Sequence, residues 1–221
     1  YLRFKLMKTR ILLLFVFVNF LKPAAQVTHL FHGYPDMRNG ALLVCLHDNS
    51  RYINTLLDKG YPIKAAEVKQ EQDSLNMAIY RGAIQSYKFT KLYFFYLKDT
   101  AALRLGKRKG FFLNDKLNAD DAIVLTEDCY LIAEVFEHPP FEHNGTQTTT
   151  GPVPILGLRY PDWKLLDEPF PWYVKVHRGF SLLQKSYSEI FMELEDNLRE
   201  WYFNPSRRTL KKIEKKAKLT N

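Results

Sequence analysis

The segment Ala41–His47, ALLVCLH, is an unbroken apolar run of strand length. A strand with one wet face alternates apolar and polar residues. A run that is apolar at every position has to be covered on both faces, as strands are in parallel sheets whose crossover helices pack above and below them. It ends in His47, directly after which stand Asp48, Asn49 and Ser50, and then a helical pattern begins. In open α/β sheets ligands collect at such carboxyl strand ends.

The remaining chain fits that start. Residues 50–86 read as helix. Ile53, Leu56 and Leu57 share one face, and Gly60-Tyr61-Pro62 interrupts it. Ala65, Val68, Gln72, Leu75, Ile79, Ala83 and Ile84 then follow at steps of three and four. One sharply broken helix or two helices satisfy this pattern. Lys91–Asp99, KLYFFYLKD, is an aromatic-rich strand, the segment from Thr100 a short helix, and Gly110–Asp115, GFFLND, a short strand. Cys129–Phe136 gives a further strand, and Ala122–Leu125 a strand or edge. His138–Pro154 is a Pro-bounded loop or hairpin tip. ILGLRYPDWKLLDEPFPWYVKV predicts an antiparallel hairpin about Tyr160–Trp163. Ser186 and Glu189 have capping-box spacing before an apolar face of Tyr187, Ile190, Phe191, Leu194, Leu198, Trp201 and Tyr202. The expected fold class is therefore α/β: a mostly parallel central sheet flanked by helices, with a C-terminal antiparallel hairpin and a final amphipathic helix.

Met7 is followed by Lys8 and Arg10, by ILLLFVFVNFL at Ile11–Leu21, and by KPAAQ. That order of charge, apolar run and small residues is the pattern of a signal peptide. The run is shorter than the roughly 20 residues a spanning helix requires. The expected organisation is a signal peptide over residues 1–25, one α/β domain over 26–204 and a basic tail over 205–221. The six residues before Met7 are either protein or upstream translation. The expected location is exported, periplasmic or secreted, with no transmembrane span once the signal is removed.

The formal charge of +8 resides at the two ends. Residues 1–25 carry five basic groups and no acid, and 205–221 carry seven basic groups beside Glu214. The span between holds 20 basic and 23 acidic groups. A nucleic-acid-binding domain carries its positive charge on the folded face, so nucleic acid is not an expected partner. The tail reads as a solvated extension, with weak attraction to an anionic surface as the alternative. Cys45 and Cys129 either pair or are separate core thiols, and their apolar surroundings favour the latter.

The corner at residues 47–50 supplies the first candidate ligand-binding residues: His47, Asp48, Asn49 and Ser50. One good N-cap type is needed simply to start the helix, and three are present. A helix start also favours anions, and His47 could donate or exchange a proton there. No Gly-rich phosphate loop, G-x-S-x-G, H-E-x-x-H or C-x-x-C occurs. His138, Glu142 and His143 form a weaker candidate metal set whose spacing matches no defined motif. Asp115, Asp120, Asp121, Glu127 and Asp128 make an acidic stretch without the regular oxygen pattern of a calcium loop. The aromatics of EPFPWY are either a second binding surface or core. Asn144-Gly145-Thr146 matches a glycosylation sequon and equally a turn.

With its early apolar strand ALLVCLH, helical segment, second strand KLYFFYLKD, PVPIL, hairpin through YPDWKLL and final helix, the chain resembles a thioredoxin-like domain over roughly residues 40–203. It is also similar to small exported proteins of Gram-negative bacteria. The resemblance implies a binding groove shaped by Pro154. It also places HDNS, His47–Ser50, where that family carries Cys-x-x-Cys, so no dithiol is present to cycle. The leading expectation is an exported module that binds a small ligand or envelope protein, without redox chemistry and without a cofactor. The alternatives are a divergent oxidoreductase or hydrolase acting at His47/Asp48, and a structural component of the cell envelope.

Overall fold

Strand Ala41–Leu46 (β3) is buried at all six positions and lies inside the sheet, as its composition requires. The computed structural model describes residues 30–140, 142–143, 146–147, 151–177 and 184–220. Signal peptide and sequon both lie outside the described residues, except for Thr146. Before β3, a small antiparallel pair joins Leu30–Phe31 (β1) to Tyr34–Pro35 (β2). After it come helix Ser50–Asp58 (α1), helix Pro62–Ser86 (α2), strand Lys91–Tyr96 (β4) and helix Thr100–Arg104 (α3). Strand Tyr130–His138 (β5) is followed by a short pair, Glu142–His143 (β6) with Thr146–Gln147 (β7). Strands Val153–Arg159 (β8) and Tyr173–Lys175 (β9) complete the sheet, and helices Tyr187–Phe203 (α4) and Arg207–Thr220 (α5) end the chain.

The fold is α/β, with a five-stranded mixed sheet in the order β4-β3-β5-β8-β9. β3 pairs in parallel with β4 on one side and β5 on the other, while β8 and β9 add on antiparallel. Strand alternation divides the core in two. Leu42, Val44 and Leu46 face α2 and α4, with Ile79, Phe191 and Leu194 among their neighbours in the larger cluster. Ala41, Leu43 and Cys45 face the opposite way, beneath Phe95, Leu103, Phe111, Phe112 and Leu125. Both faces of β3 are thus dry, and each buried Leu or Val there contributes about 2 kcal/mol relative to exposure.

GFFLND does not form a sheet strand. Phe111, Phe112 and Leu113 are buried, and Leu113 N–H donates to the Phe94 carbonyl at 2.9 Å. That single bond at the edge of β4 replaces a ladder, because the segment serves as a lid over Ala41, Leu43 and Cys45. The broken helical pattern resolves into two helices. Gly60 at φ +79° closes α1, with Gly60 N–H to Leu57 O at 3.0 Å and Tyr61 N–H to Leu56 O at 2.8 Å, and Pro62 opens α2. Ile84, expected on the buried face, is 42% exposed: the buried stripe runs through Ile79, Gly82 and Ala83, and Ile84 lies one residue further round the helix. The capping box at α4 is present in both directions.

Gly82 marks the closest approach of α2 and α4. A Cβ placed on it meets the Tyr187 backbone carbon and Cβ at 2.6 Å. Helix propensity alone predicts that Gly82→Ala stabilises the protein by about 1 kcal/mol. The contact with fixed backbone predicts the opposite, a loss of about 2 kcal/mol. Urea unfolding of the variant is expected to show the lower midpoint.

Candidate functional site

Beyond Leu46, β3 has run out of ladder on both sides: its last partners are Tyr96 on β4 and Glu134 on β5. His47 nonetheless keeps both backbone groups bonded. The Asn76 side chain, 1% exposed on α2, accepts from His47 N–H and donates to His47 C=O, each at 2.9 Å. One turn earlier on α2, Gln72 Oε1 accepts from Asn49 N–H. Asp48 then starts α1: its Oδ1 accepts from Ser50 N–H at 3.0 Å and from the Ser50 hydroxyl. Of the three cap-type residues, Asp48 supplies the side-chain cap. Asn49 holds the N-cap position without a side-chain bond, and Ser50 is the first helical residue.

The neighbouring strand ends in the same direction. β4 passes into a 3-10 turn at Leu97–Asp99 and then α3, with the Thr100 hydroxyl donating to Leu97 C=O. Two parallel strands therefore release their chain side by side. Between the released loops lies an open cleft of about 790 Å³, lined by Asp48, Arg51, Leu97, Lys98, Thr100, Ala101, Arg104 and Leu105. A smaller recess of about 280 Å³ adjoins it, sharing Asp48 and Lys98 and reaching Ser50, Lys69 and Gln72. Cations dominate the large cleft. Arg51, Lys98 and Arg104 face one acid, Asp48, whose Oδ1 is already occupied by the helix start. Asp99 stands close by, and burial, with the Asp48 charge adding to it, raises its carboxyl above the usual range against the pull of Lys98.

The expected site residues separate. Asp48 lines both hollows and Ser50 the smaller one, whereas His47 lines neither. The His47 side chain is electrostatically coupled to Glu134 instead, and burial lowers its pKa despite that carboxylate. Pro154 pairs with Glu137 in β8, two strands away from β3, and is also absent from the cleft wall. His138 ends β5, where its Nδ1–H donates to the Pro139 carbonyl at 2.7 Å and its ring lies 5.4 Å from Trp172. Glu142 and His143 form β6, and their side chains lie outside the described residues. Among the described residues no group of three or more His, Cys, Asp or Glu is placed to hold a metal ion.

Of the acidic stretch, Glu127 sits at the opposite end of the sheet. Glu127 pairs with Lys91, the first residue of β4, and accepts from Tyr93 Oη at 2.8 Å. Burial opposes ionisation of Glu127, but hydrogen bonds from Lys91, Tyr93 and Thr126 outweigh it and hold the carboxyl at about 2. The aromatics of EPFPWY divide: Phe170 is buried, stacked on Tyr34 at 5.2 Å and edge-on to Trp201 at 5.4 Å, whereas Trp172 and Tyr173 are half-buried.

Two groups went unread in the sequence. One is the Asn76 clamp. The other is the pair Glu134–Arg159, 2.7 Å apart and mostly shielded from water, with the guanidinium 4.5 Å above the Phe136 ring and also bonded to Trp163 C=O at 3.1 Å. Glu134, the single charge within YLIAEVF, was the available signal, since a charge on a covered strand needs a partner. Phe136 reaches across β8 only because residue 157 is glycine: a Cβ there meets the ring at 2.6 Å.

Comparison of the chain with protein-family models, with curated proteins and with solved structures finds no match. Among the described residues no helix is long and apolar enough to cross a membrane.

Both cysteines are free and buried, one in each core cluster. Burial, reinforced by Glu134, pushes the Cys45 thiol far above its ordinary pKa, and burial pushes Cys129 up to about 11. A nucleophilic thiol needs the reverse, a lowered pKa and access. Native protein at pH 8 is expected to leave both thiols unreacted with an aromatic disulfide reagent over minutes, and to release two equivalents on unfolding. Rapid reaction of Cys45 in the native state contradicts this placement.

Proposed function

We propose that this chain is an exported binding module that takes a small anionic ligand, a phosphate ester or polycarboxylate, in the cleft at the carboxyl ends of β3 and β4. One observation carries the reading: Arg51, Lys98 and Arg104 line an open cleft whose single lining acid is engaged in starting a helix, and neither the Arg104 contact with the Asp162 carbonyl nor the Lys98 contact with the Tyr96 ring neutralises their charge. The cleft lies within the size range of small-molecule sites. Leu97, Ala101 and Leu105 provide an apolar wall for the body of such a ligand. Export rests on the Met7–Ala25 pattern.

An oxidoreductase reading lacks an activated thiol, for the reasons given above. A hydrolase reading needs His47 beside Ser50 or Asp48, but the Ser50 hydroxyl is bonded to Asp48 and the His47 side chain is coupled to Glu134 on the neighbouring strand.

Pyrophosphate and citrate are the probes. Titration followed by amide chemical shifts is expected to move residues 48–51 and 97–101 saturably. Replacing Arg51, Lys98 and Arg104 together by Gln is expected to weaken binding at least tenfold without lowering the melting temperature. Absence of shifts at the corner with both probes, or equal affinity in the triple variant, overturns the proposal.

A further inference from the structure

The basic C-terminal segment is no frayed extension; it is a helix seated on the body, and its side chains are sorted by face. Ser206 caps α5 by accepting from Thr209 N–H at 3.2 Å. Ile213 packs against the main core. Lys216 Nζ donates to both carboxylate oxygens of Asp167, at 2.9 and 2.8 Å, and to Tyr34 Oη, while Lys212 pairs with Glu168. At 100° per residue, Ile213 and Lys216 fall on one side of the helix, and Arg207, Arg208, Lys211, Lys215 and Lys218 fall on the other. All five of these are exposed, and among the described residues none forms an ion pair. Seating the helix through Ile213 and Lys216 therefore turns a continuous cationic ridge, about 16 Å long, toward solvent. A shallow depression of about 430 Å³, lined by Arg207, Arg208, Lys211, Lys212 and Lys215, runs along it.

We propose that this ridge docks the protein peripherally onto an anionic lipid bilayer. Ile213 is spent on the body, and the exposed Leu210 alone gives the helix too little apolar face to insert, so the attraction is electrostatic. Three features favour a bilayer over a nucleic acid. The five cations share one exposed helix face, which suits a planar array of phosphates. Its outward face has no aromatic on which a base could stack and no Asn or Gln to read a base edge. The span 26–204 is net acidic, so an elongated polyanion running past the helix meets repulsion, whereas a plane touches the ridge alone. Each cation held near such a surface strengthens binding about fivefold, and the effect fades within a Debye length of about 8 Å.

The test is co-sedimentation of the full chain with two vesicle preparations, phosphatidylcholine alone and phosphatidylcholine with 30% phosphatidylglycerol. The ratio of the two partition coefficients cancels the apolar run Ile11–Leu21, and its change in a ridge variant is the readout, because the five basic groups of residues 1–25 favour the anionic vesicles equally in both proteins. A ratio of at least a hundred is expected in ~0.1 M salt, falling toward one at ~0.5 M salt. The variant R207Q/R208Q/K211Q/K215Q keeps Ile213, Lys212 and Lys216, and so keeps the seat. It is expected to lower the ratio at least thirtyfold with an unchanged melting temperature. A wild-type ratio near one, or a variant ratio equal to wild type, overturns the proposal. So does tighter binding of the same residues to a mixed-sequence DNA duplex than to the anionic vesicles.

Discussion

The buried amide of Asn76 is the joint on which the arrangement depends. β3 stops pairing at Leu46, and the next residue would bring a bare N–H and C=O to the edge of a dry core. An unpartnered backbone group there costs about 1–3 kcal/mol, and two are at stake. Asn is suited to the position because one side chain offers both an acceptor and a donor in the spacing of a peptide group. Its bonds to His47 continue the sheet for one residue using a helix as the neighbouring strand. The direction in which the chain leaves β3, the start of α1 at Asp48 and the position of Arg51 in the cleft follow from that joint.

Much of the frame was legible from apolar periodicity. ALLVCLH demanded cover on both faces and received it from α2 and α4 on one side and residues 97–125 on the other. The capping box and the apolar face of α4 are local signals, satisfied within a few residues, and the structure reproduces them. What periodicity could not convey was pairing. GFFLND has the composition of a strand, but its partners are chosen by tertiary contacts: it lies over the sheet rather than in it. The sheet is mixed because β8 and β9 enter antiparallel, a matter of loop path rather than of strand composition.

The corner itself was visible as a cluster of cap-type residues, but its occupants divide along the pleat. Successive side chains leave a strand on opposite faces, so His47 goes with Cys45 toward Glu134, while Asp48 turns out to the cleft. The cations that give the cleft its character come from two segments distant in sequence, Arg51 from α1 and Lys98 and Arg104 from the stretch after β4, and no linear pattern announced them. Charge on the whole chain misleads in the same way. Its excess lies at the ends, and the part of it at α5 becomes directional only when Ile213 and Lys216 fix which side of the helix faces the body.

Amide hydrogen exchange at His47 tests the central joint most directly. The account predicts that His47 N–H is protected to a degree comparable with Val44 inside β3, and that Asn76→Leu, which keeps the volume but removes both bonds, accelerates its exchange at least a hundredfold while Val44 stays protected. Exchange of His47 at the rate of an open loop in the unmodified protein, or unchanged protection in Asn76→Leu, contradicts the account.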